Sequence, residues 1–144
     1  MSRGIVFDTS VYIAVLRDMA FATDFRARYA RDVPRTYFSS VVMQELVAGA
    51  RSFSHRRQAA LLYGPFERVG RVVTPTHRVW KDAGSVLARA SDSLPGFRSK
   101  LAGGFMNDVL IALSARAIGA AVVTRNAEDF QMIRDLRSFE LELV

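Results

Sequence analysis

The sequence contains no cysteine. Disulfides, thiolate nucleophiles and zinc–thiolate sites are therefore excluded, and the composition fits a reducing compartment. Histidine is nearly absent. His55 and His77 are the only two, and no metal-ligand or catalytic spacing joins them, so both read as surface residues. Lysine is equally scarce: of twenty basic residues, only Lys81 and Lys100 are not arginine. No uninterrupted apolar run reaches the length of a membrane span, and no apolar signal segment precedes the first strand pattern. No internal repeat, linker or low-complexity segment divides the chain. The expectation is one soluble cytoplasmic domain over residues 1–144, with no membrane association.

What is present is a half-apolar chain of 144 residues with a net charge of +6. That length supports a real core. Arginine codon bias accounts for the Arg/Lys ratio but not for the net charge. A basic surface rich in planar guanidinium groups favours a nucleic-acid or acidic-protein partner.

Short apolar runs alternate with helical patterns. Ile5-Val6-Phe7, Thr36-Tyr37-Phe38, Arg71 to Pro75, Ala120 to Thr124 and Phe139 to Val144 read as strands, the last at an edge. Helices are predicted over 11–16, 21–30, 41–50, 55–66, 76–90 and 107–115. The apolar face of the helix over 41–50 runs through Val42, Leu46 and Gly49. Residues 91–104 read as a mobile loop and 125–130 as the loop after the fourth strand. Strand–helix alternation predicts an α/β fold with a mostly parallel central sheet and helices on both faces.

Asp8 ends the first strand, where open α/β sheets bind ligands. It equally suits a helix cap, a role that Thr9 or Ser10 could also fill. Asp129 follows the fourth strand, and Glu45 and Asp108 lie early in helices. A parallel sheet would bring these four acids to one rim. Two carboxylates about 5 Å apart repel by roughly 3 kcal/mol at an effective dielectric near 20, so such a cluster calls for a cation. Oxygen ligands without histidine or cysteine select Mg²⁺ or Mn²⁺, ions able to bind a phosphodiester and activate water. Arg51, Arg56 and Arg57, after the Glu45 helix, are candidate RNA contacts, although charge clusters are more often solvated faces. Trp80 reads as core, and Phe97 and Phe105 as either core or base-stacking residues.

The segments V-F-D-T-S, S-S-V-V-M-Q-E-L, N-D-V-L-I-A-L-S-A and V-V-T-R-N-A-E-D-F occur in this order across nearly the whole chain. Together they resemble the PIN domain family, and in length and order its VapC-type toxin ribonucleases. The resemblance implies an α/β/α sandwich and Mg²⁺- or Mn²⁺-dependent RNA endonuclease activity leaving a 5′-phosphate and a 3′-hydroxyl. It also implies a cognate antitoxin as partner in a type II toxin–antitoxin pair, and a homodimer. By resemblance Asp8, Glu45, Asp108 and Asp129 are the catalytic, metal-binding acids, with Glu128 the alternative to Asp129. Thr9 and Thr124 match supporting hydroxyls, and Asn126 a supporting polar position.

Other readings make different demands. A haloacid-dehalogenase-type phosphatase needs a second aspartate where Ser10 stands. A phosphorelay receiver needs paired acids on the first strand and a lysine at a later strand end. A PIN-type RNA-processing nuclease outside a toxin–antitoxin system, or a non-catalytic RNA-binding module on the same fold, are the alternatives; the latter predicts a broken acid set.

Overall fold

The computed structural model describes residues 3–144. Five strands run parallel: β1 (Ile5–Phe7), β2 (Phe38–Ser39), β3 (Val72–Val73), β4 (Ala121–Thr124) and β5 (Leu141–Leu143). β1, β4 and β5 form one ladder in that order, and β2 pairs with β3. A parallel bridge between Ile5 and Thr36, with Tyr37 N–H donating to Ile5 O at 2.9 Å, joins the two ladders. The order across the sheet is therefore β3-β2-β1-β4-β5. Parallel neighbours need crossover connections, and eight helices supply them: α1 (Thr9–Arg17), α2 (Met19–Asp32), α3 (Ser40–Gly49), α4 (Phe53–Arg68), α5 (His77–Ser93), α6 (Phe97–Ala102), α7 (Phe105–Ala117) and α8 (Ala127–Leu136).

The sequence pattern explains the layering. Successive strand residues face opposite sides of a sheet, and Ile5, Val6 and Phe7 are all buried. Both faces are therefore covered. Beneath β1, Phe7 packs edge-on against Phe25 at 5.4 Å and against Tyr12 at 6.0 Å, and Tyr12 lies 4.7 Å from Phe38. Each buried ring contributes about 1.5–3 kcal/mol. The cluster fixes α1 and α2 against the strand that ends in Asp8. α7 is buried on almost every side, from Val109 through Ala115, and it packs on β4, α5 and α8. Gly119 closes the turn after it at φ +69°, a conformation that suits glycine.

Several expectations need correction. Residues 91–104 are largely helical: α5 continues to Ser93, and 97–102 form α6. Gly96 and Gly104, at φ +70° and +96°, bracket that short helix, and their composition imitates a loop. The loop expected at 125–130 is instead the start of α8, with Asn126 as its cap. Pairing in β2 begins at Phe38, because Thr36 is tied back to a 3₁₀ turn over Val33–Arg35: its N–H reaches Val33 O at 3.1 Å and its hydroxyl reaches Asp32 O at 2.8 Å. Gly49 is exposed and lies off the buried face of α3. Trp80 is 53% exposed and is not a core residue, whereas Phe105 is buried.

Asp32 ends α2 as a fully buried carboxylate. Arg28, Arg31 and Arg35 surround it at 3.2, 3.2 and 3.0 Å. Burial pushes its carboxyl up, but the three arginines outweigh burial and hold it below the ordinary value. Arg28 also pairs with Glu142 on β5, so this ion cluster ties the α2 terminus to the sheet edge.

Candidate active site

The carboxyl ends of β1 and β4 lie side by side, since Phe7 pairs with Val123 and the Asp8 N–H donates to Val123 O at 3.1 Å. Asp8 is 3% exposed. It caps α1 by accepting the Val11 N–H at 3.4 Å, so Asp8 itself, not Thr9 or Ser10, fills the cap position. Its two oxygens also accept the Ser10 hydroxyl at 2.7 Å and the Thr124 hydroxyl at 2.7 Å. Capping and a site role are thus compatible in one side chain. Burial pushes the Asp8 carboxyl up; the three hydrogen bonds oppose the rise, and Glu45 adds to it.

The other acids arrive from three further elements. Glu45, on α3, accepts the Thr9 hydroxyl at 2.6 Å, so Thr9 supports Glu45 and not Asp8. Asp108 stands in the first turn of α7. Its carboxyl is pushed up to about 8, first by burial and then by repulsion from Asp8, Glu45 and Asp129. That repulsion is the electrostatic signature of four acids sharing one region. Asp129, in the first turn of α8, has one oxygen 3.2 Å from Asn126 Nδ2 and the other 3.0 Å from Lys100 Nζ. Glu128 points outward, with its side chain 75% exposed against 24% for Asp129. The geometry therefore favours Asp129 as the fourth acid.

A relay of donors stiffens the rim. Asn126 N–H donates to Thr124 Oγ1 at 2.8 Å, and Thr124 in turn donates to Asp8. Arg125 N–H donates to Ser10 Oγ at 3.0 Å, while the Arg125 guanidinium lies 4.5 Å over the Phe21 ring. Ser10, Lys100 and Arg125 were not among the sequence candidates. The D-T-S run contains the signal for Ser10, a hydroxyl two residues after the acid. Lys100 was hidden in the segment read as a loop.

Among the described residues, no three acids or histidines stand close enough to form a ready-made metal cage. In donor chemistry the residues nevertheless fit a hard divalent cation. The ligands are carboxylate oxygens alone, and Asp108 is forced toward its protonated form when no cation offsets its neighbours.

Arg51, Arg56 and Arg57 are all exposed, the first between α3 and α4 and the others early in α4. None of them lines the cleft of about 100 Å³ that Glu45 shares with Arg17, His55 and Gln58. Arg17, which lines that cleft with Glu45, was not among the sequence candidates.

Residues 5–136 match the PIN domain model. The chain belongs to the PIN domain family. Among solved structures it is similar to the DNA-bound VapBC complex of Salmonella typhimurium, at 22% identity over 99% of this chain and 98% of that one, with a TM-score of 0.66. It is also similar to VapBC-1 of nontypeable Haemophilus influenzae, at 19% identity over 96% of both chains, TM-score 0.66. A third is VapBC2 of Rickettsia felis bound to a promoter DNA fragment, at 17% identity over 97% and 98%, TM-score 0.64. These likenesses establish the PIN fold with its parallel sheet. No curated protein matches the chain. The PIN domain family is a family of nucleases, and the four acids Asp8, Glu45, Asp108 and Asp129 are the candidate site for that chemistry. No described helix is long and apolar enough to cross a membrane.

Proposed function

We propose that this PIN domain is a Mg²⁺- or Mn²⁺-dependent endoribonuclease, acting as the VapC-type toxin of a type II toxin–antitoxin pair. The observation that carries the reading is Asp108, forced up to about 8 by burial and by Asp8, Glu45 and Asp129 from three other elements. Asp8, Glu45, Asp108 and Asp129 would hold the ion, which when bound polarises the phosphodiester and activates water for in-line attack.

The chain's own groups prepare the site. Thr124 and Ser10 fix both oxygens of Asp8. Thr9 fixes Glu45, and Asn126 orients Asp129 while capping α8. At Asp8 the Thr124 and Ser10 hydroxyls favour the ionised carboxylate and so oppose the rise that burial causes. The positive net charge of the chain favours approach of an RNA strand. Arg51, Arg56 and Arg57 remain candidate contacts outside the rim.

The toxin reading draws support from the fold shared with VapBC complexes. It further implies a homodimer, a cytoplasmic setting, and an antitoxin segment that places a basic side chain among the four acids. The test is incubation of labelled RNA with the purified protein in Mg²⁺, in Mn²⁺ and in excess EDTA. Fragments with 5′-phosphate and 3′-hydroxyl ends in the metal-containing reactions alone are expected. Cleavage that continues unchanged in EDTA would sink the proposal. A small neighbouring reading frame for a DNA-binding protein would support the toxin assignment, and rRNA-processing neighbours would favour a maturation nuclease.

A further inference from the structure

Lys100 differs from the arginines of this chain in kind and from Lys81 in place. Lys81, the other lysine, is exposed on α5, while the Lys100 side chain is only 23% exposed. Its ammonium lies 3.0 Å from Asp129 Oδ1 and 3.6 Å from Glu128 Oε1. Asn126 Nδ2 engages the other Asp129 oxygen at 3.2 Å. Each oxygen of this acid thus has one donor, and the donor on Oδ1 comes from a separate element. That element is α6, six residues long, bracketed by two glycines with positive φ and packed on α5 and α7.

Lysine suits this place better than the arginine used elsewhere. A guanidinium is a rigid fork that engages both oxygens of a carboxylate. An ammonium is a compact point charge on a flexible stem. It can leave Oδ1 without turning the carboxylate that Asn126 already orients.

We propose that Lys100 is a tethered cation of this site: it holds Asp129 while no metal ion is bound, yields Oδ1 to the ion, and then holds a phosphate oxygen of the RNA strand beside it. This rests on the metal-dependent nuclease reading. In that sequence no covalent bond changes; one ion pair is exchanged for two. The lysine has two separable effects. Against the ion it is a competitor, both for an oxygen and as a like charge. Toward RNA it is a phosphate ligand that becomes available once the ion has replaced it.

The experiment is a titration of Mn²⁺ into the metal-free full chain, followed by the paramagnetic signal of free Mn²⁺, for wild type, Lys100→Ala, Lys100→Gln and Lys81→Ala. Lys100→Ala and Lys100→Gln should bind Mn²⁺ about three- to tenfold more tightly, and Lys81→Ala should match wild type. At saturating Mn²⁺, KM for RNA should rise about tenfold in both Lys100 variants, and Lys100→Arg should restore it toward wild type. Wild-type binding of Mn²⁺ with no tightening in either Lys100 variant would overturn the role of Lys100 and leave the nuclease reading standing. Tightening without any change in KM would overturn the phosphate contact. No Mn²⁺ binding by any of the four proteins would overturn the nuclease reading and this proposal with it.

Discussion

Replacing Asp108 with asparagine is expected to abolish cleavage and yet stabilise the metal-free protein, by an amount that grows with pH in a defined window. The carboxyl is shifted from its ordinary value of 3.8 to about 8. Below pH 4 the folded and unfolded chains both keep this proton, and the variant gains nothing. Between pH 4 and 8 the unfolded wild type gives up the proton while the folded wild type retains it. The wild type therefore loses stability relative to the variant as pH rises, and the loss is complete above about pH 8. At 1.36 kcal/mol per tenfold change, the full effect is roughly 6 kcal/mol. Water at an open rim screens part of it, and about 2 kcal/mol is expected to survive. For a chain of this size, such a gain raises Tm by roughly 5–8 °C at pH 8 and by a third of that or less near pH 5. The assay is thermal melting of both proteins in EDTA from pH 5 to pH 9, repeated with Mg²⁺. The ion should stabilise wild type more than the variant, since it binds only the folded site. It must also displace the Asp108 proton, so its affinity should climb with pH up to about 8. Equal Tm values across the pH range, or a variant less stable than wild type at pH 8, would refute the convergence of the acids on Asp108.

Other expectations concern parts of the molecule away from Asp108. Asp32→Asn should destabilise the fold by about 3 kcal/mol at pH 7, because it strips a buried charge from three arginines; since the Asp32 carboxyl is held low, wild type should lose this advantage only as pH falls below about 4. A urea melt in which the two proteins coincide at pH 7 would count against the cluster as a structural tie. Replacing Arg51, Arg56 and Arg57 together by alanine should weaken RNA binding and flatten its salt dependence if they touch the strand; an unchanged slope assigns them to a solvated face, in keeping with their exposure. Met19, Phe53, Leu61 and Val69 are large apolar residues at least 64% exposed, so sedimentation at tens of micromolar should show a dimer; monomer alone would remove that expectation.

The parallel sheet and the placement of Asp8, Glu45 and Asp108 were legible because each rests on a strong local pattern. Ile-Val-Phe before an acid reads as a buried strand whatever surrounds it, and α7 is apolar on almost every side. The residues around Asp129 were harder. Asn126 caps a helix whose first turn is polar, so the start of α8 read as loop. Lys100 depends on α6, where glycines at both ends gave the composition of a loop although Phe97 to Ala102 are ordinary helix formers. Thr124 acts on Asp8 through a hydrogen bond between residues 116 positions apart, a pairing set by the register of β1 with β4 and invisible to local pattern. Thr9 serves Glu45, which only the packing of α1 against α3 could decide.

Under the proposed function, Asp8, Glu45, Asp108 and Asp129 together hold a divalent ion for hydrolysis of RNA. Calorimetric titration of Mn²⁺ into wild type and into Asp8→Asn, Glu45→Gln, Asp108→Asn and Asp129→Asn tests it most directly. Wild type should bind at least one ion, and each substitution should weaken binding by about tenfold or more while RNA cleavage is lost in step. A wild type that binds no Mn²⁺, or four variants that bind it as wild type does, would contradict the claim.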